Sequence, residues 1–333
     1  MDLCIGGHCG IPDNMAVSDG VHLLVPFAGS PPGDSPEILR GLQLPNLRRL
    51  LARLRPDGND EGAASSWSMP HERALARAWG LEPVDGLVPL AALQARQDGE
   101  ATAGEGWAWI TPCHWRVGRD HIQMAPAQAL QLDGEDSRAL LAAMQPYFAE
   151  DGITLTWQAP LRWLARAELF RTLPTASLDR VSGRTIDGWM PAGAAGRPLR
   201  RLQQEMQMLL YTLPLNEVRQ RRGLLPVNSF WASGSGALPD AAQARAGANL
   251  RLPQSLREAA LTEDSKGWQA AWEQLDAREC AQLSKELDAG RDVRLTLCGD
   301  ANARSWSSGG AGLWQRVSTL FSKPSPAALL EAL

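Results

Sequence analysis

A chain of 333 residues, 44% apolar and 21% charged, is long enough to bury a full core and ordinary in composition for a globular protein. Its formal net charge of −4 gives no overall basic field, so neither nucleic acid nor an anionic membrane is expected as a partner. No apolar run nears the length of a membrane span and no basic-then-apolar leader opens the sequence, so a cytoplasmic location is expected.

Two compositional features qualify that picture. There are 13 Trp against 5 Phe and 2 Tyr. Tryptophan used as the large core residue explains this; a tryptophan-lined docking surface for a protein partner is the alternative. The five cysteines, at 4, 9, 113, 280 and 298, are an odd number and point to reduced thiols rather than a disulfide framework. Cys4, His8 and Cys9 crowd together but lack a second ligand pair at metal-binding spacing. Because "MAVSDGVHLLVPF" from Met15 reads as a natural beginning, residues 1–20 are expected to be an extension outside the fold.

"VHLLVPF" (21–27) predicts a buried strand ending in the turn-rich "AGSPPGDSP". "LPNLRRLLARLRP" places Leu44, Leu47, Leu50, Leu51 and Leu54 on one helical face, with a Gly/Asp/Ser-rich link after it (57–66). A helix is expected in "MPHERALARAWGL", opened by Pro70 and stopped by Gly80, and another over 88–96. The period then changes: "WAWITPCHWRVG", "DHIQM", "ITLTWQA" and "LRWLARA" read as strands around one helix (137–152) interrupted at Pro146. A strong amphipathic helix (197–214) follows, then a second core strand (226–232) that breaks into Ser233-Gly234-Ser235-Gly236, a long helix, and the third core strand in "VRLTLCGD" (293–300). A helical pair is expected at the C-terminal end.

The expected class is α/β, a mostly parallel sheet flanked by helices, with 21–106 and 191–333 forming the core and 107–190 an inserted small α+β domain. If strands 21–27, 226–232 and 293–298 are parallel neighbours, the glycine turn and Asp300 line one crevice at their carboxyl ends.

Candidate chemistry is sparse. The turn Ser233, Gly234, Ser235, Gly236 can offer backbone N–H groups to a phosphate, although neither nucleotide fingerprint is met. Asn228 lies mid-strand and needs a partner or a ligand if buried. Asp179, Arg180 and Arg184 in "LDRVSGR" can grip an anion, since guanidinium forks match phosphate or carboxylate oxygens; the alternative is an Asp–Arg pair that orders a surface loop. The last histidine is His121, and Cys113-His114 has no partners at ligand spacing, so no metal or other cofactor is expected. G-x-S-x-G as a strand–turn–helix elbow is absent.

"LDRVSGR", "RRLQQEMQMLLYTLPLNEVRQRRGLLPVNSFWASGSG" and "HLLVPFAG…LPNLRRLL" together resemble the proteobacterial family of regulatory proteins of RpfE type. They are also similar, more distantly, to archaeal-type cofactor-independent phosphoglycerate mutases of the alkaline-phosphatase superfamily. Asp179-Arg180 and Gly183-Arg184 match that group's "DRRAGR"-like stretch. Pro214, Asn216, Arg219 and Gly223 match its helix end, and Pro226, Asn228, Trp231, Gly234 and Gly236 its following strand. The resemblance implies an alkaline-phosphatase-like scaffold and adds Asn216 and Arg219 to the ligand-binding candidates. The departures are specific. Phe27-Ala28-Gly29 stands where those enzymes carry a metal-binding Asp-Gly, and Gly299-Asp300-Ala301 where they carry Asp-His. The expectation is therefore a regulatory or ligand-sensing protein on a degenerate mutase-like scaffold, binding a small phosphorylated anion. An active phosphotransferase and a protein-interaction module stay open as alternatives.

Overall fold

The computed structural model describes residues 20–29, 31, 33, 36–100, 102, 104–239, 249–309 and 325–333. Cys4, His8, Cys9 and the expected extension therefore lie outside the described residues, apart from Gly20.

The strands in chain order are β1 (Val21–Val25), β2 (Arg55–Asp60), β3 (Gly106–Cys113), β4 (Trp115–Val117), β5 (Ile122–Met124), β6 (Thr154–Ala159), β7 (Arg162–Arg166), β8 (Ser229–Ala237), β9 (Leu250–Arg251), β10 (Val293–Cys298) and β11 (Ala303–Ser307). The helices are α1 (Pro36–Gly41), α2 (Pro45–Arg53), α3 (Pro70–Ala78), α4 (Leu90–Gln97), α5 (Gly134–Glu150), α6 (Leu178–Val181), α7 (Arg197–Tyr211), α8 (Pro214–Arg221), α9 (Ser255–Leu261), α10 (Ser265–Leu275), α11 (Ala281–Asp288) and α12 (Pro326–Glu331).

The first sheet has the order β2-β11-β10-β1-β9. β1 is parallel to β10 and to β9, while β11 runs antiparallel to both β10 and β2. Only β11 is reversed, so the sheet is mixed. Most β1 and β10 residues are apolar and buried (Leu23, Leu24 and Val25; Leu295 and Leu297), as strands covered on both faces require. On one face Leu47 and Leu50 of α2, Trp268 and Trp272 of α10 and Leu283 of α11 close the core. The α/β class expected from the pattern is the class observed.

The second sheet, β6-β7-β3-β8, is wholly antiparallel. This corrects one expectation: β8 is not a parallel neighbour of β1 and β10 but pairs along β3, Cys113 opposite Ser229 and Gly106 opposite Ala237. The reason is packing. Phe230 and Ala232 of β8 share a core with Phe148 of α5 and with Leu199, Leu202 and Met206 of α7, so α7, α8 and β8 belong with the second sheet. The boundary expected at residue 190 therefore does not separate the two layers; the excursion runs from β3 to the end of β8.

Three local expectations also change. The "link" after α2 contains β2, whose polar, Pro- and Gly-bearing sequence is tolerated because it is an edge strand with a bulge against β11. α5 passes through Pro146 without a break. The C-terminal end, expected as a helical pair, first turns back as β11, and α12 is the helix that follows it among the described residues. Every tryptophan among the described residues is buried or half-buried, which favours the core explanation over a tryptophan docking surface.

Candidate functional site

β1 and β10 are adjacent and parallel, so the turns after them, Pro26-Phe27 and Gly299-Asp300, leave the sheet at one edge. Ligands of open α/β sheets gather at such carboxyl ends. The edge faces the second sheet, and between the two lies α6. Ser177 caps this four-residue helix, its Oγ accepting from the Asp179 N–H at 3.3 Å; Gly183, at φ +73°, ends the turn that follows. Adjacent residues of α6 point into two different clusters.

Arg180 faces the Asp300 turn. Its Nη1 lies 3.2 Å from Asp300 Oδ2 and its Nη2 donates to the Asp300 carbonyl at 3.1 Å. Arg184 reaches the other carboxylate oxygen at 3.5 Å. The exposures differ sharply: Arg180 is 1% exposed, Asp300 40% and Arg184 55%. Arg180 thus forms the floor of a clamp and Arg184 an open jaw. Burial lowers the Arg180 pKa, with Asp300 opposing and Arg184 adding to the fall. The Arg180 Nε is buried with no partner, and Trp189 lies 5.7 Å from its guanidinium.

Asp179 faces a cavity of about 730 Å³ lined from both sheets. Arg257 of α9 donates to both its oxygens (2.7 and 2.5 Å), and His71 Nε2 lies 3.3 Å from Oδ2. Burial pushes this carboxyl up, but the hydrogen bonds and charges of His71 and Arg257 outweigh it and hold the pKa well below the ordinary range. Beside it Glu72, at the third position of α3, accepts from the Met69 N–H at 2.9 Å and from Ser177 Oγ at 2.7 Å. Burial raises the Glu72 pKa against the opposing pull of His71 and Ser177. Phe27 packs on the His71 ring, centroids 5.6 Å apart.

The remaining candidates go elsewhere. Asn216 bonds the Val227 N–H and carbonyl and the Leu210 carbonyl, tying α8 to α7 and to the segment that leads into β8. Arg219, 1% exposed, is used by the Leu225 and Leu130 carbonyls and Asp136. Asn228 bonds both backbone groups of Trp115 and pins β4. Ser235 Oγ sits among the carbonyls of Leu173 (2.7 Å) and Gly86 (3.2 Å) and the Thr175 hydroxyl (2.9 Å).

Ser233 to Gly236 form no phosphate-cradling turn. They continue β8, and Gly234-Ser235 bulge opposite Ala108 of β3. Gly234, at φ +62°, lies under the Trp109 ring: a Cβ there would sit 2.9 Å from Trp109 Cε3. Gly236 is similarly pressed by Pro89. These glycines admit close neighbours rather than a ligand. Ser233 alone of the four lines the cavity.

Sequence reasoning named Arg180, Arg184 and Asp300 as candidates, the arginines beside Asp179 and Asp300 beside the glycine turn, but passed over His71, Glu72, Ser177 and Arg257. "Met-Pro-His-Glu" at a helix start was the available signal, since a carboxylate three residues into a helix faces back to its own N-terminus. Among the described residues, no three His, Cys, Asp or Glu side chains converge so as to hold a metal ion. No helix there is long and apolar enough to cross a membrane.

No family model matches the chain, and no curated protein matches it. Solved structures similar to it include the PH0037 protein from Pyrococcus horikoshii, at 12% identity and TM-score 0.44, covering 87% of each chain. A cofactor-independent phosphoglycerate mutase from Thermoplasma acidophilum is similar at 12% identity and TM-score 0.37, covering 94% of this chain and 98% of that one. The fold assignment rests on the strand order and directions themselves.

Proposed function

We propose that this chain is a non-catalytic, ligand-sensing regulatory protein that binds a small phosphorylated anion between Arg180 and Arg184. One observation carries the reading: the Asp300 carboxylate, on a turn at the sheet's carboxyl edge, lies between a buried and an exposed guanidinium. A phosphate brings more charge and more acceptor oxygens than one carboxylate, and competes for the same donors. The exposed jaw gives it a way in.

Two features support sensing over turnover. Where the resemblance to cofactor-independent mutases implies a metal-binding Asp-Gly after β1, the chain carries Phe27, 3% exposed under Trp268 and beside His71. The acid after β10, Asp300, is engaged by arginines.

Calorimetric titration with 3-phosphoglycerate and a panel of phosphate esters, beside their dephosphorylated counterparts, tests the reading. Esters bind, Arg184→Ala weakens them at least tenfold, and Asp300→Asn tightens them by removing the internal competitor. Absence of binding by every ester, or an affinity indifferent to Arg184→Ala, counts against it. Stoichiometric bound metal together with manganese-dependent turnover of 3-phosphoglycerate replaces it with a phosphotransferase.

A further inference from the structure

On the other side of α6, the cavity has a different chemistry from the arginine clamp. One wall is apolar and built from three elements: Leu75 of α3, Leu90 and Leu93 of α4, and Trp109 of β3, whose ring closes on Gly234 where a side chain would not fit. Trp79 and Leu161 extend the same wall. A volume of about 730 Å³ suits an organic molecule rather than an inorganic ion.

The charged groups lining this space are Glu72, Asp179, Arg257, Arg162 and, when protonated, His71. Asp179 is held by Arg257 and His71, and Glu72 by Ser177 and the Met69 amide. Arg162 differs. It is exposed and has no ion-pair partner among the described residues, and its guanidinium lies 5.9 Å from the Trp109 ring centroid. One unpaired guanidinium beside an aromatic face matches a single carboxylate attached to an aromatic ring. The carboxylate takes the fork, and the ring takes the leucine and tryptophan wall.

We infer that this cavity binds an aromatic monocarboxylate, its ring between Trp109 and the α3–α4 leucines and its carboxylate on Arg162. The inference is independent of the phosphate site. An aliphatic acid lacks the ring that Trp109 engages, and a dianion finds only one free guanidinium.

The probe is 2-naphthoate, titrated calorimetrically, with 2-naphthylmethanol and octanoate in parallel. One naphthoate binds per chain; the neutral alcohol and octanoate bind at least tenfold more weakly. Arg162→Gln reduces naphthoate affinity at least tenfold. Gln94→Trp, at a half-buried position of α4 on the cavity wall, fills the space and abolishes binding, with circular dichroism and melting confirming that each variant is folded. Arg184→Ala leaves naphthoate binding unchanged, which separates this site from the clamp. No saturable binding to the wild-type chain, equal affinity in Arg162→Gln, or octanoate binding as tightly as naphthoate overturns the inference.

Discussion

Arg257 grips Asp179 through two parallel hydrogen bonds, Nε to Oδ2 and Nη2 to Oδ1, and so joins α9 of the first layer to α6 beneath the second. The carboxylate is 5% exposed and the arginine side chain 23%. Removing one partner of such a pair strands a buried charge and costs about 3–5 kcal/mol, whereas removing both costs less. Arg257→Ala is therefore expected to lower the urea midpoint sharply. Arg257→Ala with Asp179→Asn recovers part of the loss, and the comparison reads out how much of it is the stranded charge.

His22 on β1 makes the fold acid-sensitive. Burial, reinforced by Arg294, depresses its pKa from the ordinary 6.5 to about 4, and its Nε2 lies 2.9 Å from Thr296 Oγ1. The unfolded chain takes up the proton first as pH falls below 6.5, so stability declines through the window from 6.5 to 4. The full loss from this one group is about 3 kcal/mol. Denaturant midpoints measured across that window should fall for the wild type and fall less for His22→Gln.

Gly234→Ala tests the bulge. A Cβ at φ +62°, 2.9 Å from the Trp109 ring, forces either the strand or the indole to move. The expected destabilisation is about 1–3 kcal/mol. Naphthoate binding should fall with it, because the cavity wall shifts. Gly290→Ala, also at positive φ but in open space, carries the backbone strain without the clash and is the proper control.

Phe27 occupies the left-handed region at φ +56°, costly for an aromatic residue. Trp268 Nε1 donates to its carbonyl at 3.1 Å and Trp272 Nε1 to the next carbonyl at 3.0 Å. Trp268→Phe leaves a buried carbonyl unmatched and is expected to cost about 1–3 kcal/mol beyond its packing change, measured by thermal or urea unfolding.

The first layer was legible because its strands are continuous apolar runs and its helices carry clear stripes, as in Leu47 and Leu50. β2 was not legible: Arg-Pro-Asp-Gly-Asn-Asp has no apolar alternation, and it is a strand only because β11 supplies its partners. The partner of β8 was equally hidden, since an apolar strand looks the same whichever sheet receives it. At the site, Arg180 and Arg184 were found by residue type and Asp300 by its place at the carboxyl end of a predicted strand. Arg219, which entered through the resemblance, misled because a buried arginine binding carbonyls has the sequence appearance of one awaiting an anion. The His71–Asp179–Arg257 network joins residues 78 and more positions apart in part, and no local pattern announces it.

Gly106 and Ala237 face each other on the rung that closes one end of the β3–β8 ladder, and the Gly104 amide reaches the Leu238 carbonyl at 3.2 Å. The whole excursion between them thus leaves and re-enters the chain at one doorway. A tether spanning 105 to 238 would close that gap, but it would also strip Arg180 from Asp300 and Asp179 from Arg257 and uncover the α4 residues that pack on Trp107 and Leu164, so the layers are joined by one doorway in the chain and by a shared interior.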